Sequence, residues 1–208
     1  MASLVPHQIS LLMPLKPQQY LAPLLILFGS LFAYLFEQQL SNSLIYDRLS
    51  IAQDEWWRFF SAHFFHTNLY HFLLNALMLV LLWALQGYAY TIRSYLAVFF
   101  VSALFSCLGI HYFSPELSQY VGLSGALHGI FVWSVLQDIA RNEKLGYILL
   151  FGIILKITAE QFYGASTDLS ELISAKVAIN AHLWGAIGGA LMFFVIYYRN
   201  KRLKGAHI

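Results

Sequence analysis

Charge and cysteine are what this chain has least of. Of 208 residues, 12 are Lys or Arg and 10 are Asp or Glu, so only 11% are charged, whereas an ordinary soluble domain carries about 25%. One cysteine, Cys107, excludes an intrachain disulfide and any paired-cysteine zinc site. No H-E-x-x-H occurs, and His63-Phe64-Phe65-His66 is a poor match to metal-ligand spacing, so neither a metal nor any other cofactor is expected. The basic tail from Arg199 to Lys204 is short, and a net charge of +2 gives no sign of a nucleic-acid partner. What remains is 59% hydrophobic, with a mean hydropathy of +0.63. The chain reads as an all-α polytopic membrane protein, 1–208 forming one transmembrane domain.

Crossing the hydrocarbon core takes about 20 apolar residues in a helix. Six stretches qualify: 22–40, 69–88, 94–113, 122–138, 145–163 and 178–198. They lack the polar alternation of barrel strands. Residues 1–20, with Pro6, Pro14 and Pro17, read as a short lead, and 199–208 as a basic tail. Lys16 is the only cation before the first run and no A-x-A-like site follows it, so that run reads as a retained span.

With six spans both ends share one side, and the cations assign it. Lys16, Arg93, Arg141, Lys144, Arg199, Lys201, Arg202 and Lys204 fall on the side of the termini. Arg48, Arg58 and Lys176 fall opposite, and Lys156 lies within a span. The excess places both termini in the cytoplasm. Spans two, four and six then enter from outside. His71, Ser124 and His182 each lie within a few residues of an outer end, so all three share a shallow depth.

That shared depth matters because intramembrane ionisable groups are costly and mark function. Ser124, in Gly122-Leu123-Ser124-Gly125, opens span four, where free backbone N–H groups and the helix dipole can stabilise an oxyanion. It is the candidate nucleophile, although serine is also a common helix N-cap. His182 is the candidate base, the bland alternative being an interhelical hydrogen bond. His71 and Asn75, four apart on one helix face, could donate to an oxyanion or simply glue helices together. His128, one turn after Ser124, is a rival base or a support beneath the dyad. Lys156 is a second rival, more simply paired with Glu160 four residues on. His63 and His66 read as interfacial loop residues at the outer rim. No carboxylate occurs near the site in spans two, four or six, so a full Ser-His-Asp triad is not expected. Gly125 and Gly129 in span four, with Gly185 and Gly189 in span six, are small-residue pairs at the spacing that lets two helix backbones meet.

Taken together these residues resemble the rhomboid family of intramembrane serine proteases. Trp57-Arg58 resembles its W-R motif, His71-Phe72-Leu73-Leu74-Asn75 its H-x-x-x-N, Gly122–Gly125 its G-x-S-G, and Ala181 to Gly189 its A-H-x-x-G-x-x-x-G. The resemblance implies a six-helix bundle with an outward-facing water-filled cavity. Ser124 and His182 would be the catalytic dyad, and the Ser124 N–H, His71 and Asn75 the oxyanion hole. Arg58, Gly122, Gly125, His128, Gly185 and Gly189 would support them. Many bacterial rhomboids carry a tyrosine at the place of His128. The histidine here is more like the rhombosortase branch, whose substrates are exported proteins with a C-terminal Gly-Gly motif, an apolar helix and a basic tail. The expected setting is the lipid bilayer of a bacterial inner membrane, with the site facing the periplasm or exterior. The expected partners are single-span or C-terminally anchored membrane proteins. The alternatives are a non-catalytic rhomboid-like protein that binds membrane clients and a small transporter. The first is disfavoured by the presence of all four polar residues, and the second by their clustering at one depth.

Overall fold

Pro17 opens the first long helix, α1 (Pro17–Leu35), at the turn where a missing backbone N–H costs nothing. The computed structural model describes residues 13–205, and five more long helices follow: α2 (Leu69–Gln86), α3 (Ile92–Phe113), α4 (Ser124–Ala140), α5 (Lys144–Tyr163) and α6 (Ile179–Gly205). Among the described residues five of these, all but α4, are long and apolar enough to cross a membrane. At 17 residues α4 spans about 25 Å, short of a hydrocarbon core about 30 Å thick.

Two expected boundaries are corrected. The first span, expected at 22–40, begins five residues earlier, so 17–20 belong to a helix and not to the lead. It ends at Leu35 because Glu37–Leu44 is polar and turns off as a separate short helix. The tail expected from 199 continues α6 as helix through Gly205. Residues 1–12 of the lead and 206–208 of the tail lie outside the described residues.

The outward faces are apolar at helical spacing. Leu25, Phe28 and Phe32 on α1, Leu73, Leu77 and Leu81 on α2, and Ile148, Phe151 and Leu155 on α5 are all exposed. Such patches are a liability in water and suit contact with lipid chains. The centre is filled by α3, α4 and α6. Tyr95, Val98, Phe99 and Ala103 pack with Ala126, Leu127, Ile130 and Trp133, and Phe193 closes the cluster.

The expected glycine contact holds α4 on α6. A Cβ at Gly185 would run into the Gly125 carbonyl, and one at Gly189 into the Gly129 carbonyl. With no hydrophobic drive between helices in lipid, backbone approach and polar contacts take its place. Ser106 on α3 adds one such contact, its hydroxyl 3.1 Å from the Ala181 carbonyl of α6.

Between α1 and α2 the chain folds back over the end of the bundle where α4 begins. Tyr46–Asp47 pairs antiparallel with Gln119–Tyr120, in register Tyr46 to Tyr120, just before α4. Arg58, 3% exposed, ties this loop together. It donates to the carbonyls of Ile45 (2.7 Å) and Asn42 (2.8 Å) and pairs with Glu55. Trp57 donates its indole N–H to the Ser43 carbonyl. The Trp57-Arg58 motif therefore clamps the loop backbone. At the opposite end Asp138 of α4 accepts from Gln86 and from the Tyr88 hydroxyl, which joins α4 to the end of α2.

Candidate active site

Ser124 is the first residue of α4, and Leu123 holds the cap position without a side-chain cap bond. The hydroxyl is thus not occupied in capping. It lies 3.0 Å from Nε2 of His182 on α6. A hydroxyl bonded to an unprotonated imidazole nitrogen can lose its proton to it, and a helix start offers backbone N–H groups to a negative charge forming alongside.

His182 is 4% exposed and is fixed on three sides. Its ring stacks on that of His128, centroids 4.0 Å apart and planes 14° from parallel. Its Nδ1 lies 2.9 Å from Oε2 of Glu160 and 3.2 Å from Nζ of Lys156, both on α5. Lys156 also reaches Nε2 of His128 at 2.6 Å and Oε1 of Glu160 at 2.8 Å. His128 touches Ser124 only at its backbone carbonyl, through Nδ1 at 2.7 Å. Of the three candidate bases, then, His182 alone is hydrogen-bonded to the serine hydroxyl. The absence of a carboxylate near the site is corrected: Glu160 supplies one from span five, outside the three spans where one was sought.

His71 faces the site from α2. Asn68 caps this helix, its Oδ1 accepting from the His71 N–H at 2.9 Å. Nδ1 of His71 is approached by the Thr67 backbone N–H at 3.4 Å and by the Thr67 hydroxyl at 3.1 Å. The backbone N–H can only donate to Nδ1, whereas the Thr67 hydroxyl spends its proton on the Ile173 carbonyl and can only accept from Nδ1, so the two contacts suit opposite tautomers; the ring nitrogen left free of both is Nε2. That nitrogen abuts Gly122: a Cβ there would stand 2.8 Å away, and the φ of +127° at Gly122 is open to few other residues. Asn75 is buried and spends one amide hydrogen on the His71 carbonyl at 3.0 Å.

His63 and His66, expected as interfacial loop residues supporting the outer rim, are buried at 0% and 1% exposure. The loop carrying them folds inward against Ala103 of α3 and Gly122 ahead of α4. Nδ1 of His63 lies 3.0 Å from the Gly122 carbonyl, which also accepts from the Tyr120 hydroxyl at 2.8 Å. Burial pushes the His63 pKa down to about 4 and that of His66 to about 3. The flanking Phe64 and Phe65 were the signal for burial. Thr67, Tyr120 and Glu160 are further site residues that the motifs did not single out.

Two cavities flank the serine. One of about 550 Å³ opens past Asn42, Thr67, His71, Tyr120, Ser124 and Lys176. A smaller one of about 180 Å³ is lined by His71, Asn75, Met78, Ser124, His128 and His182 among others. His71, Asn75, Ser124 and His182 therefore share one concave space, as their common depth suggested. His128, Glu160 and His182 also bring ligand atoms within 4.8 Å of one another. The Lys156 ammonium touches all three, so positive charge already stands at that point.

A family model described as the Rhomboid domain matches residues 53–199. The chain belongs to the rhomboid family. The match runs from the loop ahead of Trp57-Arg58 into the end of α6, so it contains every rhomboid candidate residue discussed above. A protein of Bacillus subtilis (strain 168) named "Putative rhomboid protease YdcA" is similar to this chain, at 27% identity over 154 residues, which is 74% of either chain. Rhomboid membership and the apolar helices together make this an integral, multi-pass membrane protein.

Proposed function

We propose that this rhomboid is an intramembrane serine endopeptidase acting through Ser124 and His182. The observation that carries the proposal is the 3.0 Å contact between Ser124 Oγ and His182 Nε2, made across two helices whose glycines allow the approach. The name of the Bacillus relative, "Putative rhomboid protease YdcA", supports the same activity.

In this mechanism Ser124 Oγ attacks the scissile carbonyl carbon as its proton passes to His182 Nε2. The carbonyl oxygen becomes an oxyanion, received by the Ser124 backbone N–H, by the second amide hydrogen of Asn75 and by His71 in the tautomer that carries its proton on Nε2. Collapse expels the amine, which takes the proton from His182. A water then repeats the sequence on the acyl-enzyme and frees Ser124. Donors fixed in place before the reaction act strongly because little water competes with them.

The substrate in this reading is another membrane-anchored protein, cut near the outer face. In this reading the chain crosses six times, the cation asymmetry supports cytoplasmic termini, and α4 starts below the outer surface, where the cavities let water in. The branch assigned is the rhombosortase one, on the identity of His128 at the position that stacks on His182. Its substrates would carry Gly-Gly ahead of a C-terminal apolar helix and basic tail, glycine letting the chain unwind into a narrow site. The test is reconstitution in liposomes with a single-span substrate of that design. Cleavage by the wild type and none by Ser124→Ala supports the reading, and equal cleavage by both contradicts it. Indifference to replacement of Gly-Gly by bulky residues removes the branch assignment alone.

A further inference from the structure

His182 can act as a base only if its Nε2 carries no proton, and the groups around its other nitrogen decide that. Nδ1 faces two partners of opposite character: the Glu160 carboxylate at 2.9 Å, which only accepts, and the Lys156 ammonium at 3.2 Å, which only donates. Were Nδ1 to accept from Lys156, the ring proton would sit on Nε2, pointing at Ser124 Oγ, and no proton could be taken from the serine. With Nδ1–H donating to Glu160, Nε2 presents a lone pair to the hydroxyl.

The 2.9 Å approach of Glu160 Oε2 to Nδ1 favours the second arrangement, since two acceptors would repel there, and the rest of the cluster fits it. Lys156 has closer acceptors than Nδ1, namely Glu160 Oε1 at 2.8 Å and His128 Nε2 at 2.6 Å. An accepting Nε2 leaves the His128 proton on Nδ1, where the Ser124 carbonyl receives it at 2.7 Å. Every proton is then assigned in one closed circuit. Ser124 Oγ–H donates to His182, His182 Nδ1–H to Glu160, Lys156 to Glu160 and to His128, and His128 Nδ1–H back to the Ser124 main chain.

We propose that Glu160 is the positioning carboxylate of a Ser124–His182–Glu160 triad, and that Lys156 and His128 hold it in place. The proposal rests on the serine-protease reading above and deepens it. A buried carboxylate is tolerated at the outer end of α5 because the Lys156 ammonium offsets its charge. When Ser124 Oγ bonds to the carbonyl carbon and its proton moves to His182 Nε2, the imidazolium keeps its Nδ1–H on Glu160, which stays ionised throughout. Without that negative charge the imidazolium would form beside the Lys156 cation with nothing to balance it. The stacked His128 ring holds the plane of His182 while this happens.

Lys156 gives the proposal a test that a merely structural ion pair would not pass. In Glu160→Gln the amide has one accepting end and one donating end. Lys156 demands the oxygen, so the NH₂ turns to His182 Nδ1 and forces the inactive tautomer. Removing the cation as well, in Lys156→Met/Glu160→Gln, frees the amide to turn its oxygen to Nδ1–H. The measurement is the rate at which a fluorophosphonate labels the purified full-length protein in liposomes, with the melting temperature of each variant taken alongside. The expected result is a loss of roughly 10²–10⁴-fold in Glu160→Gln, as for an acid-to-amide change in other serine triads, with at least a tenfold recovery in the double variant. Labelling of Glu160→Gln within threefold of wild type overturns the proposal. So does a large loss that Lys156→Met leaves unrepaired, since that reports a damaged fold and not a wrong tautomer. A wild-type protein that does not label overturns the protease reading itself, an outcome distinct from either.

Discussion

Replacing Gly185 by alanine should uncouple the serine from its histidine. An added Cβ at Gly185 would stand 2.7 Å from the Gly125 carbonyl carbon and 2.6 Å from Ser106 Oγ, and would overlap the Gly125 oxygen. Neither backbone can yield locally inside a helix, so α4 and α6 must part by roughly 1 Å, with an overpacking cost of about 1–3 kcal/mol. Ser124 adjoins Gly125, and His182 lies one turn before Gly185, so the parting falls at the level of their 3.0 Å bond. A displacement of about 1 Å takes that contact out of hydrogen-bond range and should lower serine reactivity by roughly 10²-fold. The assay is fluorophosphonate labelling, with Gly152→Ala as the control. Gly152 lies on α5 with nothing within 4 Å of its added Cβ, and its replacement should leave the rate unchanged. Labelling of Gly185→Ala at the wild-type rate would refute the argument that this backbone contact positions the pair.

Asn75→Ala should reduce kcat by roughly 10²–10³-fold with little change in KM, the signature of an oxyanion donor. An unchanged kcat with a raised KM would place Asn75 in substrate docking instead. Acid should destabilise the protein through His63. Its folded pKa of about 4 lies below the unfolded value of about 6.5, so the unfolded state binds more protons in between. The stability is whole above that upper value and falls as pH drops towards 4, by roughly 3 kcal/mol for this group, with His66 adding a loss of the same sign. Melting temperatures from neutral pH to 4.5 should show the decline, and His63→Gln should make it shallower, leaving the part due to His66; a level wild-type curve would contradict the buried neutral histidines. Chelators should leave labelling unaffected, because the Lys156 ammonium stands among His128, Glu160 and His182. Activity lost to a chelator and restored by zinc would count against that assignment.

The long helices were legible because lipid imposes a length and a composition on them, and Ser124, His71 and His182 because polar groups at one depth stand out against apolar runs. The glycine pairs could be read as a contact because their spacing allows little else. The first helix was placed too late, since Pro17 looked like part of a lead when it is a helix start. Glu160 was misjudged for a different reason. Its i to i+4 partner Lys156 supplied a sufficient local explanation, and only the packing of α5 against α4 and α6 shows that the pair also meets both histidines. His63 and His66 were read as interfacial because they lie between two spans; how deeply that loop folds back, bringing His63 to the Gly122 carbonyl, depends on packing that the sequence does not show.

Mass-spectrometric mapping of the fluorophosphonate adduct tests most directly whether Ser124 is a nucleophile activated by His182. The account predicts a single modified residue, Ser124, in the wild-type protein. It predicts labelling abolished equally by Ser124→Ala and by His182→Ala, and a double variant no worse than either, because the two act as one unit. An adduct on another residue, or undiminished labelling of Ser124 in His182→Ala, would contradict it.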